Sequence, residues 1–301
     1  MKTILVTGGT VFVSRYIAEY YVKAGHEVYV LNRNTKKQSD GVKLIQADRS
    51  NIGNALKGKH FDVVIDTAYS AEDVSHLLDA LESFDDYIFI SSSAVYPETN
   101  EQPFKEDSPL GRNNFWGKYG TDKIEAEKLL QKRVPGAYIL RPPYLYGPMN
   151  NVYREAFVFE CALAGRKFYL PKDGQMKLQF LHIEDLCKFM NVLMEQRPNE
   201  RVYNVGNSDT ITMREWVELC YRTAGSKVQF KEVHQDIEQR DYFSFYNYEY
   251  KLDVTRQHEL FPTDIPLEEG LKYAFVWYTN NKDKVVRKDY IKFIDENFHE
   301  M

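Results

Sequence analysis

Cysteine is scarce. The chain has three, Cys161, Cys187 and Cys220, far apart and without metal-ligand spacing. Each falls in a helix-like segment, so they read as reduced core residues of a cytoplasmic protein. No disulfide framework or metal site is expected. No apolar run approaches the length of a membrane span. Met1-Lys2-Thr3 leads at once into a strand-like run, without signal-peptide organisation. No long basic run appears, and the net charge is −5 with mixed signs. Nucleic-acid binders usually show a basic stripe, so that role is disfavoured. Repeats and low-complexity segments are also missing.

What is abundant is apolar and aromatic. The 301 residues are 43 % hydrophobic, with 22 Tyr and 18 Phe. That is enough for a large α/β domain and a smaller lobe. The aromatics can pack a core or line a pocket, and composition does not choose. Strand-like runs at Thr3–Val6, Val28–Leu31, Lys43–Gln46, Val63–Ile65 and Tyr87–Ile90 alternate with helix-like stretches. The latter are Val13–Ala24, Ile52–Leu56 and Val74–Leu81, and a polar helix is expected over 118–132 before a strand at Tyr138–Leu140. This alternation predicts a doubly wound parallel sheet of Rossmann type. Such sheets bind ligands at the carboxyl ends of their strands. From Gly147 the pattern changes. Residues 1–147, with returning segments at roughly 177–206, are assigned to the dinucleotide-binding domain. Residues 148–176 and 207–301 are assigned mainly to a substrate-binding lobe. The aromatic, charged stretch His234–Tyr250 has no clear period and reads either as a loop over a pocket or as an ordinary surface loop.

Thr7-Gly8-Gly9-Thr10-Val11-Phe12-Val13-Ser14 links the first strand to the first helix. Amide groups and the dipole at a helix start favour anionic oxygens, so a dinucleotide pyrophosphate suits this turn. Gly8, Thr10, Val11, Phe12 and Val13 are its candidate contacts. The usual pattern asks for three glycines; Gly8 fills the first place, and Val11 and Ser14 the others. The second strand ends at Asn32-Arg33, where the adenosine ribose would lie. An acid there would favour NAD. Arg33 instead suits a 2′-phosphate, so NADP is favoured over NAD.

Tyr119 and Lys123 stand four apart at the start of a helix-like segment and share a face. A neighbouring cation favours phenolate. Ser92, at the end of the fifth strand, can hydrogen-bond the oxygen whose proton Tyr119 exchanges. Together they suit acid–base catalysis beside a nicotinamide.

These segments resemble the extended short-chain dehydrogenase/reductases, in the NAD-dependent epimerase/dehydratase group. The matches are Thr7–Ser14, Asp48, Asp62–Ala68, Ser91–Tyr96, Tyr119–Lys123, Leu140–Pro148, Phe180–Asp185, Tyr203–Gly206, Leu252–Thr255, Pro266–Gly270 and Trp277-Tyr278. The turn is similar to an atypical Gly-Gly-Thr-x-Phe branch that includes the chloroplast stem-loop-binding proteins. The resemblance implies an oxidoreductase or epimerase acting on a nucleotide sugar or similar hydroxyl or carbonyl substrate. It implies catalytic roles for Ser92, Tyr119 and Lys123, with Lys123 also holding the nicotinamide ribose. Asp48 and Arg49 would lie near adenine. Ala68, Tyr69 and Ser91 would pass the cofactor, and Pro142 and Tyr144 would border the nicotinamide. Ser93, Tyr96 and Arg240 would meet the substrate, although dehydratases carry an acid at the place of Ser93. His182 and Asp185 would brace the fold. A homodimer through the helices near Val74–Leu81 and Tyr119 is implied as well. The alternative readings are a catalytically weak dinucleotide-binding regulator of the atypical branch and an RNA-binding protein.

Overall fold

A computed structural model describes residues 1–262 and 264–298. In chain order the first elements are β1 (Thr3–Thr7), α1 (Phe12–Lys23), β2 (Glu27–Asn32), β3 (Lys43–Gln46), β4 (His60–Asp66), α2 (Ala71–Ala80), β5 (Ser83–Ile90), α3 (Lys118–Arg133) and β6 (Tyr138–Arg141). Then come β7 (Tyr144–Tyr146), α4 (Glu155–Leu163), β8 (Phe168–Pro171), β9 (Lys177–Leu178), β10 (Phe180–His182), α5 (Ile183–Gln196) and β11 (Val202–Asn204). The chain ends with β12 (Ile211–Thr212), α6 (Met213–Thr223), β13 (Phe230–Val233), α7 (Gln239–Tyr242), α8 (Thr255–Leu260), α9 (Leu267–Asn280) and α10 (Tyr290–Asn297).

Two compact units result. The first holds residues 1–143, 183–208 and 252–264. Seven parallel strands run in the order β11-β6-β5-β4-β1-β2-β3. The chain leaves β1 toward β2 on one side and later pairs β4 on the other. That reversal opens a crevice at the carboxyl end of β1. The central strands are apolar because helices cover both faces. Leu5, Val64, Phe89 and Ile139 of the sheet pack with Leu77 of α2 and Ala126 and Leu130 of α3, all buried. Each such large side chain contributes about 1.5–3 kcal/mol on burial.

The second unit holds residues 144–182, 209–251 and 265–301. The segments around 144–147 and 177–182 therefore sit here, and 252–264 returns to the first unit, unlike the divisions drawn from sequence. Its strands pair in twos, β10 with β7, β12 with β9 and β13 with β8. Rings fill its interior. Phe180 stacks on Trp216 at 5.8 Å, and Tyr144 meets Phe245 edge-on at 4.8 Å. The aromatic abundance is thus largely core.

Two local expectations fail. Residues 52–56 form successive turns, with bonds such as Ala55 N–H to the Ile52 carbonyl, because Gly53 at φ +56° leaves the helical region. The 234–250 stretch is neither lid nor plain surface loop. It contains α7 and buries Tyr242, Phe243, Phe245 and Tyr250. The outer face of α2 and α3 is charged. Lys118 pairs with Asp122, Lys128 with Glu125 and Arg133 with Asp79.

Candidate active site

Gly8 (φ +89°) and Gly9 (φ +85°) turn the chain out of β1 in a conformation other residues rarely adopt. Space forbids side chains there too. A Cβ on Gly8 would lie 2.8 Å from Ser14 Oγ, and one on Gly9 2.5 Å from Val30 Cγ1. Ser14 replaces the third glycine without opening the turn, because its hydroxyl donates to the Val11 carbonyl at 3.1 Å. Val11 caps α1 with no side-chain hydrogen bond. The first amides of α1 are therefore not claimed by a side-chain cap, as an anion-binding helix start requires. Asn32 Nδ2 fastens the turn from the end of β2, donating to the Gly8 carbonyl at 2.6 Å.

Beside this turn lies a cavity of about 390 Å³, lined by Thr7, Gly8, Asn32, Arg33, Asp48, Arg49, Ala68, Tyr69 and their neighbours. A buried carboxylate behind the lining ties several of these residues together. Asp66 accepts from Thr7 Oγ1 at 2.8 Å, Tyr87 OH at 2.6 Å and the Ala68 amide at 3.0 Å, and takes Arg49 Nη2 on both oxygens at 2.8 Å. Arg49 is thus tied into the wall. Arg33 is different: its side chain is 69 % exposed, and the nearest carboxylate, Asp48, is 4.0 Å away. Hydrogen bonds from the Ser50 hydroxyl and amide hold Asp48 below the usual carboxylate range, with Arg33 adding less.

Past the cavity, α3 presents Tyr119 and Lys123 toward the end of β5. Gly120 permits the approach, since a Cβ there would lie 2.3 Å from the Ala94 carbonyl oxygen. Ser92 starts a short 3₁₀ turn over Ser93–Val95, and its oxygen accepts the Ala94 amide at 3.2 Å. Ser92 lies close enough to Tyr119 to act on its phenol. Lys123 is 3 % exposed and donates to the Ala68 and Ile90 carbonyls at 2.6 and 2.7 Å. Burial pushes its ammonium down to about 8, against the pull of Asp66 and Glu127.

In the chain without a dinucleotide the phenol is shifted the other way. Tyr119 is 36 % exposed, and desolvation raises its phenol above the usual value while Ser92 opposes. The ammonium, 5.9 Å from the ring centre, is turned to the two carbonyls. Tyr119 is therefore a protonated phenol near neutral pH.

Thr10 and Val11 continue the Gly8 turn, and Phe12 and Val13 open α1 beside it. Other residues singled out from sequence lie elsewhere. Ser91 is buried, its hydroxyl given to Glu127. Tyr96 is fully buried and bonds Asn204 and Arg141, so it is framework rather than a substrate contact. Ser93 is buried, and its amide meets the Pro142 carbonyl at 2.9 Å. Tyr144 packs in the second unit against Phe245 and Tyr250. Arg240, also there, holds the Ser244 carbonyl and lies 4.8 Å over Tyr246. Glu127, Arg141, Asp66 and Gly120 carry the site's architecture but drew no functional reading from sequence. Glu127 follows Lys123 by four residues, which was the available signal.

In the second unit Arg154, Arg240 and Lys288 gather near Tyr144 and Tyr290. Arg154 and Arg240 both act on each of those phenols, and Arg240 acts on Lys288. Among the described residues none of the three cations is ion-paired. One further group, His60, Asp62 and Asp85, sits where β4 and β5 begin, at the opposite end of the sheet. Its atoms are engaged internally: His60 with Ser83 and Asp85, and Asp62 with the Thr3 amide.

A glycine turn at a sheet switch point with an adjoining cleft marks a Rossmann-type α/β architecture. The chain belongs to the NAD dependent epimerase/dehydratase family, whose model matches residues 4–206. It is 29 % identical to the chloroplast stem-loop binding protein of 41 kDa b of Arabidopsis thaliana, over 74 % of this chain and 64 % of that protein. It is 28 % identical to a probable GDP-L-fucose synthase 1 of rice, over 64 % and 62 %. The match thus spans just under two thirds of the length of these relatives. A putative UDP-glucose 4-epimerase of Methanocaldococcus jannaschii is 23 % identical over 92 % of this chain and 99 % of its own. The fold is that of dTDP-glucose 4,6-dehydratase from Bacillus anthracis, solved with NAD. The TM-score is 0.75 at 19 % identity, covering 95 % of this chain and 99 % of that one. No helix among the described residues is long and apolar enough to cross a membrane.

Proposed function

We propose that this chain is a dinucleotide-dependent oxidoreductase of the epimerase or reductase type, acting on a hydroxyl or carbonyl of a nucleotide sugar. The observation that carries the reading is the meeting of Tyr119 and Lys123, one helical turn apart, with Ser92 at the end of β5. Tyr119, held protonated, donates its proton to a carbonyl oxygen and regains one from a hydroxyl in the reverse direction. Ser92, its oxygen fixed by the Ala94 amide, shares the hydrogen bond to the reacting oxygen. Lys123 supplies a cation at the ribose side of the site. Ser93 stands where a dehydratase would carry an acid, which favours epimerisation or reduction over loss of water.

The residues present fit a dinucleotide: a turn that excludes Cβ atoms, a helix start without a side-chain cap, and a cleft of suitable chemistry. When bound, the nicotinamide supplies the hydride acceptor and donor. Arg33, largely exposed at the end of β2, suits a 2′-phosphate, so NADP is proposed over NAD. The buried free thiols Cys161, Cys187 and Cys220 suit a reducing compartment, the cytoplasm.

A thermal-shift screen of UDP-, GDP- and dTDP-sugars with NADP or NAD present tests this, followed by product analysis. At least one sugar nucleotide should stabilise the protein and be converted with both Ser92 and Tyr119 intact. Stabilisation by none of them, with a dinucleotide bound, would remove the substrate class.

A further inference from the structure

Three consecutive residues at the end of β5, Ile90 to Ser92, meet one face of α3. Ser92 lies near Tyr119 and acts on its phenol. Lys123, one turn on, donates to the Ile90 carbonyl at 2.7 Å. Glu127, a further turn on, accepts from the Ser91 hydroxyl. The spacing i, i+4, i+8 makes a single stripe along the helix. The first two members have chemistry to perform. Glu127 has none at hand, yet it is 1 % exposed, where a lone carboxylate is costly. Arg141 of β6 pairs with it, through Nε at 3.1 Å and Nη2 at 2.6 Å, one contact on each oxygen. Arg141 is itself fixed by Nη1, which donates to Tyr96 OH at 2.8 Å and the Glu106 carbonyl at 2.9 Å.

On the β6 side the Ser91 and Ser93 amides meet the Leu140 and Pro142 carbonyls at 2.7 and 2.9 Å. On the α3 side the rung next to Ser92 is the Ser91–Glu127 bond. We propose that Glu127 is a positioning residue for proton transfer: anchored by Arg141, it clamps Ser91 and so sets how the adjoining Ser92 meets Tyr119. The inference rests on the Ser-Tyr-Lys reading given above. It separates Glu127 from an ordinary buried brace, because a brace would alter stability and leave the Ser92–Tyr119 contact as it is.

The test is the ¹³Cζ resonance of Tyr119 in the full chain labelled with [¹³Cζ]tyrosine, identified as the signal missing from Y119F. The shift of a neutral phenol reports its hydrogen bond. S92A moves that resonance. E127Q/R141M, which removes both charges so that neither is left bare, moves it in the same direction. S91A, which cuts the clamp and keeps the ion pair, does likewise. A resonance at its wild-type position in S91A and E127Q/R141M, with S92A displaced, overturns the inference and leaves Glu127 a brace. A resonance unmoved by S92A as well removes the Ser92–Tyr119 contact, and the underlying reading falls with it. If E127Q/R141M does not fold, S91A decides alone.

Discussion

Lys123 is kept in the core as a cation, and its cost to stability can be worked out. Its side chain is 3 % exposed, and burial lowers its pKa from 10.5 to about 8. That difference corresponds to about 3 kcal/mol of preference for the neutral amine on folding. Asp66, Glu127 and Asp73 already act to raise the value, while Arg49 lowers it. The phenols of Tyr69 and Tyr119 also face it, with ring centres 5.5 and 5.9 Å from Nζ. The sign follows from proton counts. Above about 8 the folded chain releases this proton, while the unfolded chain keeps it up to 10.5. The penalty is therefore complete below the folded value and fades as pH climbs toward the unfolded one. Urea unfolding of wild type and Lys123→Met in parallel isolates the effect, since the other titrations are common to both. From about pH 7 to about pH 9.5, wild type should gain about 2 kcal/mol relative to the variant. A difference that stays flat, or moves the other way, would refute a buried charged Lys123.

Three other expectations follow from the site. Tyr119→Phe keeps the ring and deletes the proton, so turnover on a substrate found by screening should fall about 10²–10⁴-fold with dinucleotide binding preserved; undiminished turnover by a folded variant would exclude Tyr119 as the acid–base group. Arg33→Ala should weaken NADP and leave NAD nearly unchanged in calorimetric titration, and equal losses would return Arg33 to an ordinary surface charge. Gly120→Ala drives a methyl against the Ala94 carbonyl, 2.3 Å away, and should cost about 1–3 kcal/mol in urea unfolding; a variant as stable as wild type would show that α3 does not need this close approach.

The doubly wound sheet is legible in the sequence because parallel strands buried on both faces appear as short apolar runs, and β4 and β6 are such runs. Tyr119 and Lys123 share a face because four residues make about one helical turn. The polar framework is harder to read. Arg141 lies in an otherwise apolar strand, and Glu127 lies in a helix rich in exposed charge. Periodicity gives no reason to pair them, since a contact between β6 and α3 is made by tertiary structure alone. Tyr96, a substrate contact only by resemblance, is satisfied by Asn204 and Arg141, both distant in sequence. Gly53 broke the turn of helix expected at 52–56. The aromatic run at 234–250 lacks a period because its rings enter a core from an irregular segment.

The central claim is that the Gly8 turn and its cleft hold a nicotinamide dinucleotide. Fluorescence titration with NADPH and NADH measures this directly, comparing wild type with Gly8→Ala. The variant's Cβ would meet Ser14 Oγ at 2.8 Å, in a backbone conformation that disfavours it. The account predicts saturable binding to wild type below millimolar concentration, tighter for NADPH, and a large loss in a folded Gly8→Ala. No binding of either nucleotide to wild type at millimolar concentration, or equal binding to both proteins, would contradict it.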